Sequence, residues 1–396
     1  MIVPSQPPSR HSVPDTVRRA LIQLLRLETS ARWLGRLLPE QDLRATLRQH
    51  FAQRFTPEQR QRLREQLPRV YVAVKHHNWE QAGLIDSWAE IAETLPWDWG
   101  ECYDQHAPDW YAKGKPAFNE ALYRRVAQAH AERPLTHFFG YLSGHWVYPE
   151  TIRRIGKLGI VALNFGFDDS HRFWGRHRHG QWTGNAGIAR AFDLNLTAQD
   201  PADVAKFRLL GARVLYLPPG GNPRAFADLP QVEKRYFVSF IGKCYGIRKR
   251  YIDHLRRHGI DVHVRGEGWP EGPVSHEEML EIYAASHVIL GFGFTGNSRR
   301  KTAVKGRDFE IPLTGTPYLT SWNPLLAQHF REGEEILYYR DRSDLVRILH
   351  QWRDYPETLA SIGQAGQRRA RAEHDWAQRW HQVLDRLQQS LDGHKA

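Results

Sequence analysis

Two separate series of short apolar runs, alternating with helical patterns, constrain the fold of this chain more than any other feature. In the first series the runs are 70–74, 136–142, 160–165, 191–197 and 214–217, and helices are predicted over 84–95, 149–158 and from Asp200-Pro201 to Gly211. The second series has runs at 236–241, 262–264 and 288–290. Its helices are predicted over 247–257 and from the capping box Ser275-His276-Glu277-Glu278 through Ala285. Strands that are apolar throughout and joined by helices predict parallel sheets covered on both faces. The fold class is therefore α/β, with two Rossmann-like units joined by the Pro- and Gly-rich segment 218–230.

Both ends add helices. Residues 1–15 are rich in Pro and Ser, and 17–67 read as helical, with Leu21, Leu24, Leu25, Leu43, Leu47 and Phe51 at helical spacing. Thr56-Pro57-Glu58-Gln59 has the form of an N-cap, a first-turn proline and a capping-box glutamine. At the other end, a helix over 373–391 places Trp376, Trp380, Val383, Leu387 and Leu391 on one face. The expected organisation is a helical arm (1–68), a first domain (69–222), a second domain (223–372) and a terminal helix (373–396). No repeat of solenoid length is present.

Composition narrows the class. A chain of 396 residues, 41% hydrophobic and 25% charged, is ordinary for a globular protein of two domains. The longest apolar runs, near 160–167 and 288–294, are too short to span a bilayer. The first residues lack the pattern of a secretory signal, and the only cysteines, Cys102 and Cys244, show no CxxC spacing, so a cytoplasmic location is expected. A formal charge of +11 asks for an anionic partner: nucleic acid, a diphosphate or an acidic lipid headgroup. Every cation before Lys75 is an arginine. The arm carries no recognition-helix motif, so no nucleic acid is expected; a solvated helix face, a docking partner and peripheral contact with the inner membrane surface stay open for it.

The densest chemistry lies in Lys305-Gly306-Arg307-Asp308-Phe309-Glu310-Ile311-Pro312-Leu313-Thr314-Gly315. Lys305 and Arg307 precede a short helical pattern, where free N–H groups and positive charge suit a phosphate. Glu310 can accept two hydroxyl hydrogen bonds at once, as a ribose diol would offer. Diphosphate and sugar together point to a nucleotide-sugar donor. Upstream, Ile241-Gly242-Lys243 ends a strand, so its backbone and Arg248 can approach a phosphate. Arg265-Gly266-Glu267-Gly268-Trp269 ends the next strand and is placed to wall the base.

The same segment resembles the CgeB-type (spore-maturation) glycosyltransferase family, in which a run like KGRDFE-x-P-x-x-G precedes a short strand, here Tyr318-Leu319-Thr320. The resemblance extends through Asn323-Pro324, Phe330-Arg331-Glu332-Gly333, Phe240-Ile241-Gly242-Lys243 and Leu217-Pro218-Pro219-Gly220-Gly221-Asn222-Pro223, and covers roughly 70–391. It implies a GT-B architecture: two Rossmann-like domains facing a cleft, with the last helix crossing back to the first. It also implies transfer from a nucleotide-diphosphate sugar to a glycan, protein or small-molecule acceptor, with no cofactor and no metal. Donor residues would be Gly242, Lys243, Arg248, Gly268, Lys305, Arg307, Glu310 and Gly315. Related enzymes place a general base after the first strand, here His76 in Lys75-His76-His77-Asn78, and a histidine near the donor sugar, here His145. Asp168-Asp169 resembles a paired-aspartate motif of the family. Adjacent side chains on an extended segment diverge, so one of the two, taken as Asp169, is expected to face the cleft. Retaining enzymes of glycosyltransferase family 4 carry two glutamates along the donor helix; Glu310 matches the second, whereas the first falls on Thr302, which leaves stereochemistry open.

Rival readings remain at this level. Gly291-Phe292-Gly293-Phe294-Thr295-Gly296 fits the G-x-G-x-x-G pattern of dinucleotide oxidoreductases, but two strand–helix units precede it and Asn297-Ser298-Arg299-Arg300 follows it; it is read as a cleft loop near the donor. A catalytically silent relative that binds a sugar nucleotide is the other alternative. The loop with His171-Arg172 and Arg176-His177-Arg178-His179 has no cysteine or paired carboxylate to complete a metal set, and reads as an anion-contacting flap or a solvated loop. Nine of the 14 tryptophans precede residue 190, supplying faces for sugar stacking or for the core.

Overall fold

The computed structural model describes residues 27–38, 42–76, 79–227, 229–295, 298 and 302–391. The expectations placed on residues 1–26, on His77 and Asn78, and on Gly296, Asn297, Arg299 and Arg300 lie outside the described residues.

The first domain is built on β1 (Arg69–Val74), β2 (Glu93–Asp98), β3 (His137–Gly140), β4 (Val161–Gly166), the small hairpin β5 (His177–Arg178) and β6 (Gln181–Trp182), then β7 (Leu194–Thr197) and β8 (Val214–Tyr216). Apart from the hairpin, these strands form one parallel sheet in the order β2-β1-β3-β4-β7-β8. Its helices are α1 (Leu27–Arg36), α2 (Leu43–Arg54), α3 (Pro57–Glu65), α4 (Lys115–Glu132), α5 (Pro149–Lys157) and α6 (Val204–Leu209). The second domain has β9 (Tyr236–Ile241), β10 (Val262–Arg265), β11 (Ser286–Leu290), β12 (Tyr318–Ser321) and β13 (Leu337–Tyr339), parallel in the order β10-β9-β11-β12-β13. Around it lie α7 (Arg248–Arg257), α8 (His276–Ala284), α9 (Arg307–Leu313), α10 (Arg342–Arg353) and α11 (Pro356–Glu373), and α12 (Trp376–Leu391) closes the chain. Both sheets reverse direction beside their first strand. In such doubly wound sheets ligands bind beyond the carboxyl ends of the strands at that reversal, which puts residues 75, 76, 79, 80 and 141–146 of one domain opposite 242–248 and 291–295 of the other.

Helices α2, α3 and α12 bury one face of the first sheet: Leu47, Phe51, Trp376, Trp380 and Leu387 share a core with Val70, Val72, Phe139 and Leu163. Trp380 stacks between Trp88 and Trp376, with 5.0 Å between ring centroids on each side, and its indole N–H donates to Ser87 Oγ at 2.8 Å. Burying one such ring contributes on the order of 2–3 kcal/mol, so this stack fixes where the last helix lies. The helix expected over 373–391 is in fact the end of α11 and all of α12, broken at His374-Asp375. There the chain recrosses to the first domain beside the linker: Gly221 N–H donates to His374 O at 2.8 Å, and Trp376 N–H donates to Gly221 O at 3.0 Å. A side chain at Gly221 would stand 2.5 Å from Leu313 Cδ1 and 3.1 Å from Phe309 O, so glycine is required where linker and α9 meet.

One element differs in kind. Instead of a helix over 84–95 there is a π-helical turn over Gln81–Asp86, a helical turn over Ser87–Ala89 and then the strand β2. As an edge strand β2 is half exposed and carries Pro96, so it lacks the apolar pattern that marks a buried strand.

Candidate functional site

The cleft between the two sheets gathers a cationic cradle on one side and an aromatic cavity on the other. On the second domain, α9 is short, and its first turn is organised by Asp308, whose carboxylate accepts from the Lys305 amide (2.7 Å) and from the Tyr318 hydroxyl (2.6 Å). This places Arg307 across the carboxyl end of β9, where Arg307 Nη1 donates to Ile241 O at 3.1 Å. Gly242, at φ 154, lies so close beneath that a Cβ there would sit 2.8 Å from Arg307 Nη1. Gly242 O is held in turn by the Trp269 indole N–H at 2.8 Å.

Arg248 is buried behind this turn, donating to Lys243 O at 2.7 Å and lying over the Tyr245 ring. Burial, reinforced by the neighbouring Arg307 charge, lowers its pKa to about 10. Among the described residues neither guanidinium has a carboxylate within 4.0 Å. Two cations left facing each other in this way favour an anion between or beside them. Glu310 follows one turn along α9. Burial pushes its carboxyl up to about 7; Arg307 opposes this, while the charges of Glu80 and Asp308 add to it. No hydrogen-bond donor among the described residues reaches the Glu310 carboxylate, so an acceptor is presented without a partner.

The remaining donor-side residues divide. Lys305 has no ion pair among the described residues, and its charge acts on His171 of the first domain, so it stands at the mouth of the cleft. Lys243 turns outward to Glu267 at 2.6 Å. Gly268, at φ 83, packs under Cys244, and Gly315, at φ 74, ends α9 beneath Gln367, whose amide donates to Leu313 O. These two glycines shape the backbone and stand back from the cradle.

On the first domain, His76 lies just past β1, with its amide donating to Asp98 and its Nδ1 3.9 Å from Glu80 Oε2. Glu80 is buried and is within electrostatic reach of Glu310, so one carboxyl from each domain meets across the cleft. Sequence reasoning missed Glu80; its one signal was the i,i+4 spacing from His76. His145 lies in a cavity of about 990 Å³ beyond β3 and β4, with Nδ1 2.7 Å from the Tyr111 hydroxyl. Burial and the nearby cations lower its proton affinity. Of the aspartate pair, Asp168 is half exposed beside His171 and Arg172. Asp169 is the inward one, accepting from Asn185 (2.7 Å) and Thr197 (2.8 Å); burial pushes it up to about 7.

Gly291 and Gly293 have packing roles: the first faces the Tyr318 hydroxyl and accepts at its carbonyl from the Tyr339 hydroxyl, and the second donates from its amide to Ser321 Oγ at 2.9 Å. Among the described residues no group of three or more His, Cys, Asp or Glu is arranged to hold a metal, and no helix is long and apolar enough to cross a membrane.

Residues 248–385, which hold α7 through most of α12 and so the whole cationic cradle except the β9 turn, match a family model described as glycosyl transferase-like. No curated protein sequence matches the chain. Among solved structures, sucrose-phosphate synthase from Thermosynechococcus elongatus superposes with a TM-score of 0.55 at 14% identity, over 81% of this chain and 99% of that one. The fold is GT-B. The HepE protein of Anabaena, solved in complex with UDP-glucose, gives a TM-score of 0.53 at 12% identity over 80% and 98% of the two chains. A glycosyltransferase from Rickettsia africae gives 0.56 at 8% identity over 83% and 100%. The stretch that matches the glycosyl transferase-like model bears Arg248, Lys305, Arg307 and Glu310.

Proposed function

We propose that this chain is a glycosyltransferase of the CgeB-like group, moving a hexosyl unit from a nucleotide-diphosphate sugar to an acceptor hydroxyl without a metal ion. One observation carries the reading: Arg307, fixed by backbone at the end of β9, with no ion pair among the described residues, next to a carboxyl, Glu310, that no hydrogen-bond donor among them reaches. That pair matches a diphosphate joined to a diol. As the sugar–phosphate bond breaks, negative charge grows on the leaving diphosphate, and Arg307, Arg248 and Lys305 stabilise it from preset positions. The likeness in fold to a protein solved in complex with UDP-glucose supports a nucleotide-sugar as the donor.

The acceptor occupies the first-domain cavity, with its hydroxyl directed to His76 as the base and Glu80 orienting the imidazole. His76→Ala is expected to lower the transfer rate about 100-fold or more while leaving the affinity for donor unchanged. Calorimetry and a product assay on the same sample read both quantities. Loss of donor affinity together with rate would assign His76 a structural role instead.

For the arm we propose contact with an anionic membrane surface. Trp33 (62% exposed), Leu34, Leu37 (65% exposed) and Leu38 crowd one side of α1 and its following turn, while Ala31 and Gly35 bury the other side. Residues 1–68 hold 12 arginines against six acidic residues. Apolar side chains among arginines suit an interface rich in acidic lipid. Sedimentation with phosphatidylglycerol vesicles is expected, weaker for Trp33→Ser and at high salt. Failure to sediment, or equal retention by pure phosphatidylcholine, would contradict it.

A further inference from the structure

We infer that the acceptor taken by the first-domain cavity is a sugar-like molecule carrying an anionic group, a phosphate or a carboxylate. The inference rests on the reading of that cavity as the acceptor site.

The cavity has an aromatic floor and a cationic wall. Tyr111 and Trp146, both half-buried, supply the floor, flat faces of the kind on which sugar rings stack, with Trp110 buried beneath them. Arg172, Arg176 and Arg178 supply the wall. The last two ride on the β5–β6 hairpin, which is firmly seated. Gln181 Nε2 donates to Gly144 O (3.2 Å) and Val147 O (3.0 Å), and Arg176 and Thr183 exchange backbone and hydroxyl hydrogen bonds at 2.8 Å. The hairpin turn holds His179 at φ 47, in the left-handed region that a non-glycine residue seldom adopts, with its ring 4.8 Å from Tyr111. Positive φ at both His179 and Gly180 is what a two-residue hairpin turn requires.

Among the described residues two of these three cations lack local counterions. Among the described residues neither Arg176 nor Arg178 has a carboxylate within 4.0 Å. The acids that line the cavity are committed elsewhere: Asp168 to His171 and Arg172, and Asp169 to Asn185 and Thr197. Behind the floor Lys115 adds a buried ammonium that donates to Gly144 O at 2.7 Å and lies over the Tyr111 and Tyr148 rings. A neutral acceptor would leave these positive charges without a partner on the acceptor. An anion on the acceptor compensates it and gains bidentate hydrogen bonds from the guanidinium forks.

The test is calorimetric, on the full chain, with glucose, glucose 6-phosphate and glucuronate as probes and with UDP-glucose titrated separately. Glucose 6-phosphate or glucuronate is expected to bind about 10-fold or more tighter than glucose, and the stronger of the two identifies phosphate or carboxylate as the group read. In Arg176→Ser/Arg178→Ser the preference should vanish while UDP-glucose binds as in the wild type. Equal binding of all three sugars, or of none, would overturn the inference. So would a preference that survives in that variant, or one that disappears in Arg307→Ala, since the anion would then lie in the donor cradle. Failure of UDP-glucose alone would remove the donor reading and leave the anionic preference standing.

Discussion

Glu310→Gln is expected to weaken binding of a nucleotide-diphosphate sugar about 100-fold, and at pH 8 to raise the melting temperature of the ligand-free protein. The two effects share a cause. The Glu310 carboxyl is held near 7 by burial, against the 4.5 of a free glutamate. A group whose folded-state pKa is raised stabilises the fold fully below its unfolded value. That contribution is lost as the pH climbs from about 4.5 through 7, which makes the ionised form costly by on the order of 3 kcal/mol. Glutamine is neutral throughout and escapes that loss. The stability gap between variant and wild type should therefore widen between pH 5 and pH 8. Asp169, also raised to about 7, has the same sign and remains in both proteins, so it cancels from the comparison. Bound donor reverses the preference: two ribose hydroxyls donating to the carboxylate favour its charged form, and donor affinity should fall as the pH drops below about 7. Thermal melts with and without UDP-glucose across that range measure both effects. A variant that is less stable at pH 8, or one that binds donor normally, would contradict the role given to Glu310.

Arg307→Ala carries the second large expected effect. Losing a preset cation from a developing diphosphate charge typically costs about 2.7–4 kcal/mol, or 100- to 1000-fold in rate. The fold should survive, because among the described residues Arg307 makes one side-chain hydrogen bond, to Ile241 O, and its charge opposes that of buried Arg248. Arg307→Lys keeps the charge but loses the planar fork, so its activity should fall between the two. Steady-state transfer rates with melting temperatures as a control check this series. An alanine variant with unchanged rate, in a folded sample, would place the diphosphate elsewhere.

The strands were legible wherever they are buried on both faces. The pattern over 236–241 is β9 residue for residue, since a strand covered on both sides must be apolar throughout. β2 was not legible, because its edge position removes the need for apolar residues and its Pro96 argues against a strand. The β5–β6 hairpin hid as a basic loop: two residues per strand give no periodicity. Within the site, Arg307, Glu310 and Gly242 are close in space as the motif and the strand end implied. Lys243 was predicted by proximity along the chain, yet its side chain turns to Glu267. Glu80 escaped because its meaning lies across the cleft, in a carboxyl contributed by another domain, and nothing within its own helical turn reports that neighbour. The orientation of Asp168 and Asp169 likewise depends on Asn185 and Thr197, which arrive from later in the chain.

The central claim is that Arg307, the Gly242 turn and Glu310 grip one nucleotide-diphosphate. A crystal structure of the chain with UDP-glucose tests it most directly. The account predicts the diphosphate against Arg307 and the Gly242–Lys243 backbone, with both ribose hydroxyls on the Glu310 carboxylate. A bound nucleotide lying elsewhere, with those side chains unmoved, would contradict it.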